Sequence, residues 1–359
     1  MPIIVLTTIC LTAFITASCD KLLSLDDKPE DSDQTNQTSP GKQKPGQTQP
    51  PKNPSSPPGQ VSLTWYVSQN GSDAASGISP SKPLATVRAA LSGISNLYRG
   101  GKWPAGESAV IVISGRITGS VTGGKSLVEV SGKGNYPPVI FKGDDVTGGT
   151  LDAGNSGGGD GRVMYIANSK VTLGDKLLLT GGRTLWGGAV CIGTEGHIGL
   201  NSEGELIIDG AEISGNTGQV GGAVSIYKGS ASMTSGVIRN NKNDFTTAGA
   251  NDGGGIYVSS NTFLLVSGGI IENNGGAETD NGGGIAIDGY AAALMTDGKI
   301  INNTSKKQGG GVYVIPMGKF EMTGGEISGN TSGTDGGVSN GGYGAVFIHT
   351  GGTITGNTP

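Results

Sequence analysis

Three cysteines are too few for a disulfide framework. One of them, Cys10, sits in an apolar leader. Cys19 follows that leader, which leaves Cys191 as the only thiol in the body of the chain. Two histidines, His197 and His349, stand far apart and in no paired ligand spacing, so a histidine-based metal centre is not expected. Aromatic residues make up only 5% of the chain, which argues against an ordinary globular core. Charged residues are 15%, the formal net charge is −5, and no basic stripe appears. Nucleic acid is therefore not an expected partner. Long apolar runs at helical spacing are missing too.

What is abundant is glycine, with 68 in 359 residues. Much of it falls in a repeat seen most clearly in GGGVYVIPMGKFEMTGGEISGN, residues 309–330. Earlier copies start at Gly187, Gly221, Gly253 and Gly282, and a looser one starts at Gly336. The spacing runs from roughly 27 to about 34 residues, the range of stacked repeats. Each copy carries short alternations such as Val312-Tyr313-Val314 and Phe320-Glu321-Met322. Alternation with period two makes strands, and glycine and asparagine supply the corners between them. One copy is too small to bury its own apolar face. Stacked copies put Val312 above Ile285 and Ile256 in one column. The expected fold is all-β: a right-handed parallel β-helix over residues 61–359, with its clearest repeats at 187–359.

Closing asparagines recur at Asn216, Asn240, Asn273, Asn302, Asn330 and Asn357. An inward asparagine at a repeated corner can bond to the coils above and below, so these six are read as a structural ladder. Asp252, Asp280 and Asp335 each lie just ahead of a Gly-Gly pair. Stacked, they would form an acidic edge of the kind calcium favours. The spacing is not that of calcium-binding nonapeptides, and turn-forming aspartate is the preferred reading, with no cofactor expected.

Residues 1–18 are apolar and end in small residues, the pattern of a secretory signal. Thr16-Ala17-Ser18-Cys19 resembles the lipobox of bacterial lipoproteins. That resemblance implies a lipid on Cys19 and an exported, membrane-anchored protein at the outer membrane or cell surface. Residues 19–60 hold half of the 16 prolines and almost no large apolar residues after Leu25. They cannot bury enough surface to order and are expected to be a disordered tether.

Val61 opens the folded part. Ser81 is expected to cap a helix with Pro83 in its first turn and Leu84, Val87, Leu91 and Ile94 on one face. That helix would close the end of the solenoid. The run YVSQNGSD…GISPSKPLATVRAAL resembles the opening of pectin-lyase-like β-helix proteins, a fold that serves lyases, hydrolases, adhesins and structural proteins. From Trp186 the repeats resemble those of polymorphic membrane proteins and other autotransporter-type adhesins. Those families imply binding to a glycan or a host-surface protein. An open strand edge at the C-terminal coil would also permit end-to-end self-association.

The competing reading is a polysaccharide lyase or glycoside hydrolase acting on uronic-acid-type or other glycans. Glycosidases of polygalacturonase type use neighbouring aspartates with a histidine and a basic residue nearby. Asp144, Asp145, His197 and Arg239 occur in that order here, without that family's Asn-Thr-Asp and Gly-His-Gly sequences. Arg239 also falls in a variable slot of the repeat, where Glu272 and Ser328 stand in other copies. Tyr257, Tyr313 and Glu321 alternate outward and are candidates for a binding face. The sequence favours a displayed, non-catalytic β-helix.

Overall fold

The apolar alternations become strands only a few residues long, because glycine or asparagine ends each one at a corner. A computed structural model describes residues 63–359, except 120, 122, 156–159, 194–202 and 246–248. The leader, Cys19 and the tether lie outside the described residues. The chain winds into a parallel β-solenoid of about 8 turns, with 47% of residues in strands and 5% in helix.

Three ladders of parallel strands form its faces. The first includes Ala109–Ser114, Gly204–Ile208, Phe263–Val266, Ala292–Met295 and Lys319–Met322. The second includes Leu177–Thr180, Glu212–Ser214, Val237–Arg239, Lys299–Ile301 and Glu326–Ser328. The third includes Val190–Ile192, Val224–Ile226, Ile256–Val258, Ile285–Ile287 and Val312–Val314.

Because register holds from coil to coil, identical positions stack into columns. On the second face Leu179, Ile213, Ile238, Ile271, Ile300, Ile327 and Ile354 follow one another. On the third, Val224, Ile256, Ile285 and Val312 do the same. On the first, large and small alternate: Leu206, Ala231, Leu264, Ala293, Phe320. Below Phe320 the ring of Phe347 stacks with centroids 5.5 Å apart. Burying such side chains is worth about 1.5–3 kcal/mol each for Val, Leu, Ile, Phe or Met, so the columns are the main source of cohesion.

The first strand, Thr64–Ser68, and helix α1, Val87–Arg99, belong to the N-terminal end. Thr86, not Ser81, caps α1: its hydroxyl oxygen accepts from Ala89 N at 3.2 Å. Asp73 sets this start, accepting from Ala85 N and Thr86 N at 2.9 Å and from the Thr86 hydroxyl at 2.8 Å. Leu84 pairs instead with Val67 as a parallel bridge. Val87, Ala90, Leu91 and Ile94 are buried, and Gly93 lies against the Trp65 ring. The helix touches the strands at Thr64–Ser68, Ala109–Thr118 and Lys125–Ser131 and so covers that end of the core.

The corner between the second and third faces carries the asparagines. Each copy has a left-handed residue followed by an inward asparagine, buried in all but the last copy, where Asn357 is half-buried. Gly215 (φ 70°), Gly329 (φ 64°) and Gly356 (φ 62°) fill the first position in three copies, and Asn240, Asn273 and Asn302 (φ 54–56°) fill it in the other three. The inward ladder is therefore Asn216, Asn241, Asn274, Asn303, Asn330 and Asn357. The sequence expectation is displaced by one residue at Asn240, Asn273 and Asn302, which are the exposed corner residues. Glycine and asparagine tolerate positive φ best, which is why either type serves there.

Every interior member uses its whole amide. Asn303 Nδ2 donates to Ile271 O at 2.9 Å and to Asn330 Oδ1 at 3.0 Å. Its Oδ1 accepts from Asn274 N and Nδ2 at 2.9 and 3.0 Å. Two donors and two acceptor sites are thus all satisfied away from water.

Candidate functional site

The residues singled out for chemistry are spread over several places. Asp144 closes a turn, its Oδ1 accepting from Val146 N and Thr147 N at 3.0 Å and from the Thr147 hydroxyl at 3.1 Å. Those backbone amides, Thr147 first, hold its carboxyl below the usual range. Asp145 is exposed and sits 3.6 Å from Lys176 Nζ. Arg239 lies three coils further on: the ladder runs from Asp152 through Thr180 and on to the coils of Ser214 and Arg239. At about 4.8 Å per coil, that is some 14 Å along the axis. Asp144 and Asp145 are therefore not brought to Arg239. His197 lies outside the described residues, as does Cys19.

Arg239 is engaged elsewhere, as a bidentate partner of Glu212 at 3.0 and 3.1 Å. Burial raises the Glu212 carboxyl, but hydrogen bonds from Arg239 and Ser214 outweigh it and leave a net downward shift. Two coils further on, Lys299 Nζ pairs with Glu326 Oε2 at 2.7 Å, and the Ser328 hydroxyl donates to Glu326 Oε1 at 2.6 Å. The Lys299 ammonium holds Glu326 below the ordinary carboxylate range.

Beside this pair is an open depression of about 500 Å³ at the corner between the first and second faces. Gly268, Gly269, Gly298 and Gly325 floor it, with Asp297, Lys299 and Glu326 around it. These glycines are dictated by stacking: a Cβ on Gly268 would strike Thr234 O in the preceding coil. The depression is thus an open furrow of mixed lining, with Ile270 beside the charged Asp297, Lys299 and Glu326.

The acidic edge takes a different register from the one expected. Asp252 bridges to Asn281, and Asn281 bridges to Gln308, so the row continues in amides. Asp280 stands one residue earlier, where Lys307 Nζ meets its Oδ1 at 2.9 Å. Asp335 instead accepts from the Ser339 hydroxyl at 3.0 Å. Among the described residues no group of three or more His, Cys, Asp or Glu is placed to hold a metal ion.

Asp252 itself is the most perturbed carboxyl. It is 6% exposed, and its Oδ1 accepts from Asn281 Nδ2 at 2.9 Å and Asn281 N at 3.2 Å. Burial pushes it up to about 6. The sequence marks Asp252 only as one of three aspartates ahead of a Gly-Gly pair; the burial of its corner is what sets it apart.

Cys191 is buried and donates its S–H to Gly193 O at 3.1 Å. Burial raises its thiol to about 11, which makes it a packed residue and not a nucleophile. Its row on the third face continues through Ser225, Tyr257, Ala286 and Tyr313, so tyrosines and small buried residues share one outward line. Tyr257, Tyr313 and Glu321 are half-buried and do not merge into one patch.

Comparison with protein families, with curated proteins and with solved structures finds no match. The solenoid is consistent with a pectin-lyase-like β-helix at the level of architecture.

Proposed function

We propose that this chain is an exported, lipid-anchored β-solenoid that works by binding, its outer surface displayed from a membrane on the tether of residues 19–60. The anchoring half of that reading rests on the sequence of residues 1–60. The binding half rests mainly on one observation: an open depression on the outer surface, where the Glu326 carboxylate is tied to Lys299 in an ion pair at 2.7 Å. Glycoside hydrolysis needs a carboxylic acid that keeps its proton near neutral pH. Glu326, tied to Lys299, is not placed to be that acid. The ligand classes that fit an open furrow with both apolar and charged lining are a glycan or an extended segment of a host-surface protein.

A second reading, a polysaccharide lyase or glycosidase, draws on Asp252. Its raised carboxyl beside Asp280, which Lys307 pairs, resembles an acid and an ionised partner with separated pKa values. Its near-complete burial weighs against contact with a polymer.

The test is a panel of soluble polysaccharides and matrix proteins incubated with the purified chain. Retention on one ligand, with neither reducing ends nor unsaturated product released, is the expected result. Turnover that disappears in Asp252→Asn or Asp145→Ala would overturn the binding reading.

A further inference from the structure

Four of the eight large apolar side chains that are clearly exposed among the described residues gather near one corner. They are Tyr290 (67%), Met317 (38%), Tyr343 (88%) and Val346 (42%). The corner is the one between the third and first faces. Consecutive coils place them beside one another: Tyr290 N donates to Met317 O at 3.1 Å, and Met317 N donates to Tyr343 O at 3.2 Å, with Gly344 level with Met317 and Tyr343 one residue before it. One coil earlier, Asn261 N donates to Tyr290 O at 3.3 Å and begins the same column.

Packing does not account for these residue types. Tyr290 (φ 62°) and Met317 (φ 71°) lie in the left-handed region, where Asn261 (φ 61°) is the ordinary choice. A side chain with a Cβ costs roughly 1–2 kcal/mol there, and an exposed tyrosine recovers none of it by burial. A bulky residue kept in a disfavoured conformation, with its ring in water, is what a contact residue looks like.

We propose that this column is a stacking platform for an extended β-linked polysaccharide strand. The inference rests on the binding reading above and supplies its surface and its ligand class. Tyr290 and Tyr343 are two coils apart, about 10 Å along the axis. In a two-fold β-linked glycan every second sugar presents the same face, at a matching interval. The tyrosine rings take those faces, and Met317 fills the gap between them. Polar groups border the column, as ring hydroxyls require. Asp288 accepts from Gly289 N at 2.8 Å and from the Ser260 hydroxyl at 3.4 Å, and exposed Asn340 accepts from Gly342 N at 3.4 Å.

A lipid surface fits less well. The column is one side chain wide, and the cation that follows it in the chain, Lys319, is paired with Glu321 at 2.9 Å. No free positive charge on that loop would gather anionic headgroups.

Isothermal titration of the full chain with cellohexaose, chitohexaose and xylohexaose tests the assignment. At least one should bind, and Tyr290→Asn and Tyr343→Ala should each weaken it at least tenfold. Tyr290→Asn should melt at or above the parent temperature, because asparagine suits the left-handed backbone. That separates lost contact from lost folding. Binding by none of the three, or binding untouched by both tyrosine variants, overturns the platform. Binding lost in Lys299→Ala but kept in both tyrosine variants moves the ligand to the furrow and leaves the binding reading standing. Hydrolysis of any oligosaccharide during the titration would instead overturn the binding reading itself.

Discussion

Asn303 lies one coil before Asn330, and the two amides are joined twice: Asn303 N and Nδ2 both donate to Asn330 Oδ1, at 2.8 and 3.0 Å. Asn302, the neighbour of Asn303 in sequence, takes no part and holds the corner at φ 56°.

The two residues should therefore respond in opposite ways. Asn303→Ala takes from Asn274 N its buried acceptor, from Asn274 Nδ2 one of two acceptors, from Ile271 O its side-chain donor, and from Asn330 Oδ1 one of two donors, and should cost about 2–4 kcal/mol. Asn302→Gly suits a left-handed corner and should shift stability by less than about 1 kcal/mol. Urea unfolding followed by circular dichroism distinguishes them. Equal losses in the two variants would mean that the ladder is assigned to the wrong row.

Asp252 predicts a pH dependence with an unusual sign. Its folded pKa, about 6, is above its ordinary value of 3.8. The unfolded carboxyl therefore gives up its proton first. Stability from this group is fully present below pH 4 and is lost as pH rises through 6, by a total of about 3 kcal/mol. Asp280 and Lys307 face it across the corner and set the background. Unfolding midpoints measured from pH 4 to 7.5 should fall in the parent relative to Asp252→Asn. Identical profiles for the two proteins would refute the shift.

Ile300 sits at 0% exposure in the isoleucine column, between Ile271 and Ile327. Ile300→Ala removes contacts to both coils and should cost about 2–5 kcal/mol, whereas Ile300→Val should cost about 0.5–1.5 kcal/mol. Because the coils form a nearest-neighbour array, the loss should open the C-terminal coils before those near α1. Hydrogen exchange by mass spectrometry reads that order, and uniform loss of protection along the whole chain would contradict it.

The N-terminal helix offers a smaller test. Thr86→Ala removes both the cap on Ala89 N and the bond to Asp73, and should cost about 1–2 kcal/mol. Ser81→Ala should be close to neutral. A reversed order, read from thermal melts, would restore Ser81 as the cap.

Much of the architecture is legible in residue spacing. The strands at Val312–Val314 and Phe320–Met322, and the column through Ile256, Ile285 and Val312, follow directly from alternation and repeat length. The asparagine row does not. In an Asn-Asn pair only the backbone decides which amide turns inward, and both residue types suit both places. The helix start is hidden for a related reason, because Asp73, thirteen residues upstream, selects Thr86 over the locally plausible Ser81. The acidic edge, weighed in the sequence but set behind turn-forming aspartate, does not line up: a one-residue offset places Asn281, not Asp280, against Asp252. The column of Tyr290, Met317 and Tyr343 is hidden because its loops differ in every copy: Tyr290 and Met317 hold the left-handed position, whereas in the last copy Gly344 takes it and Tyr343 stands one residue earlier.

The alternation of Leu206, Ala231, Leu264, Ala293 and Phe320 gives the turns an order as well as a shape. Their backbones are interchangeable, but their volumes are not: exchanging two turns would set bulk against bulk at one level and open a void at the next. A lineage can lengthen or shorten such a molecule more readily by complementary pairs of turns than by single ones, and the serial arrangement of its modules is itself inherited information.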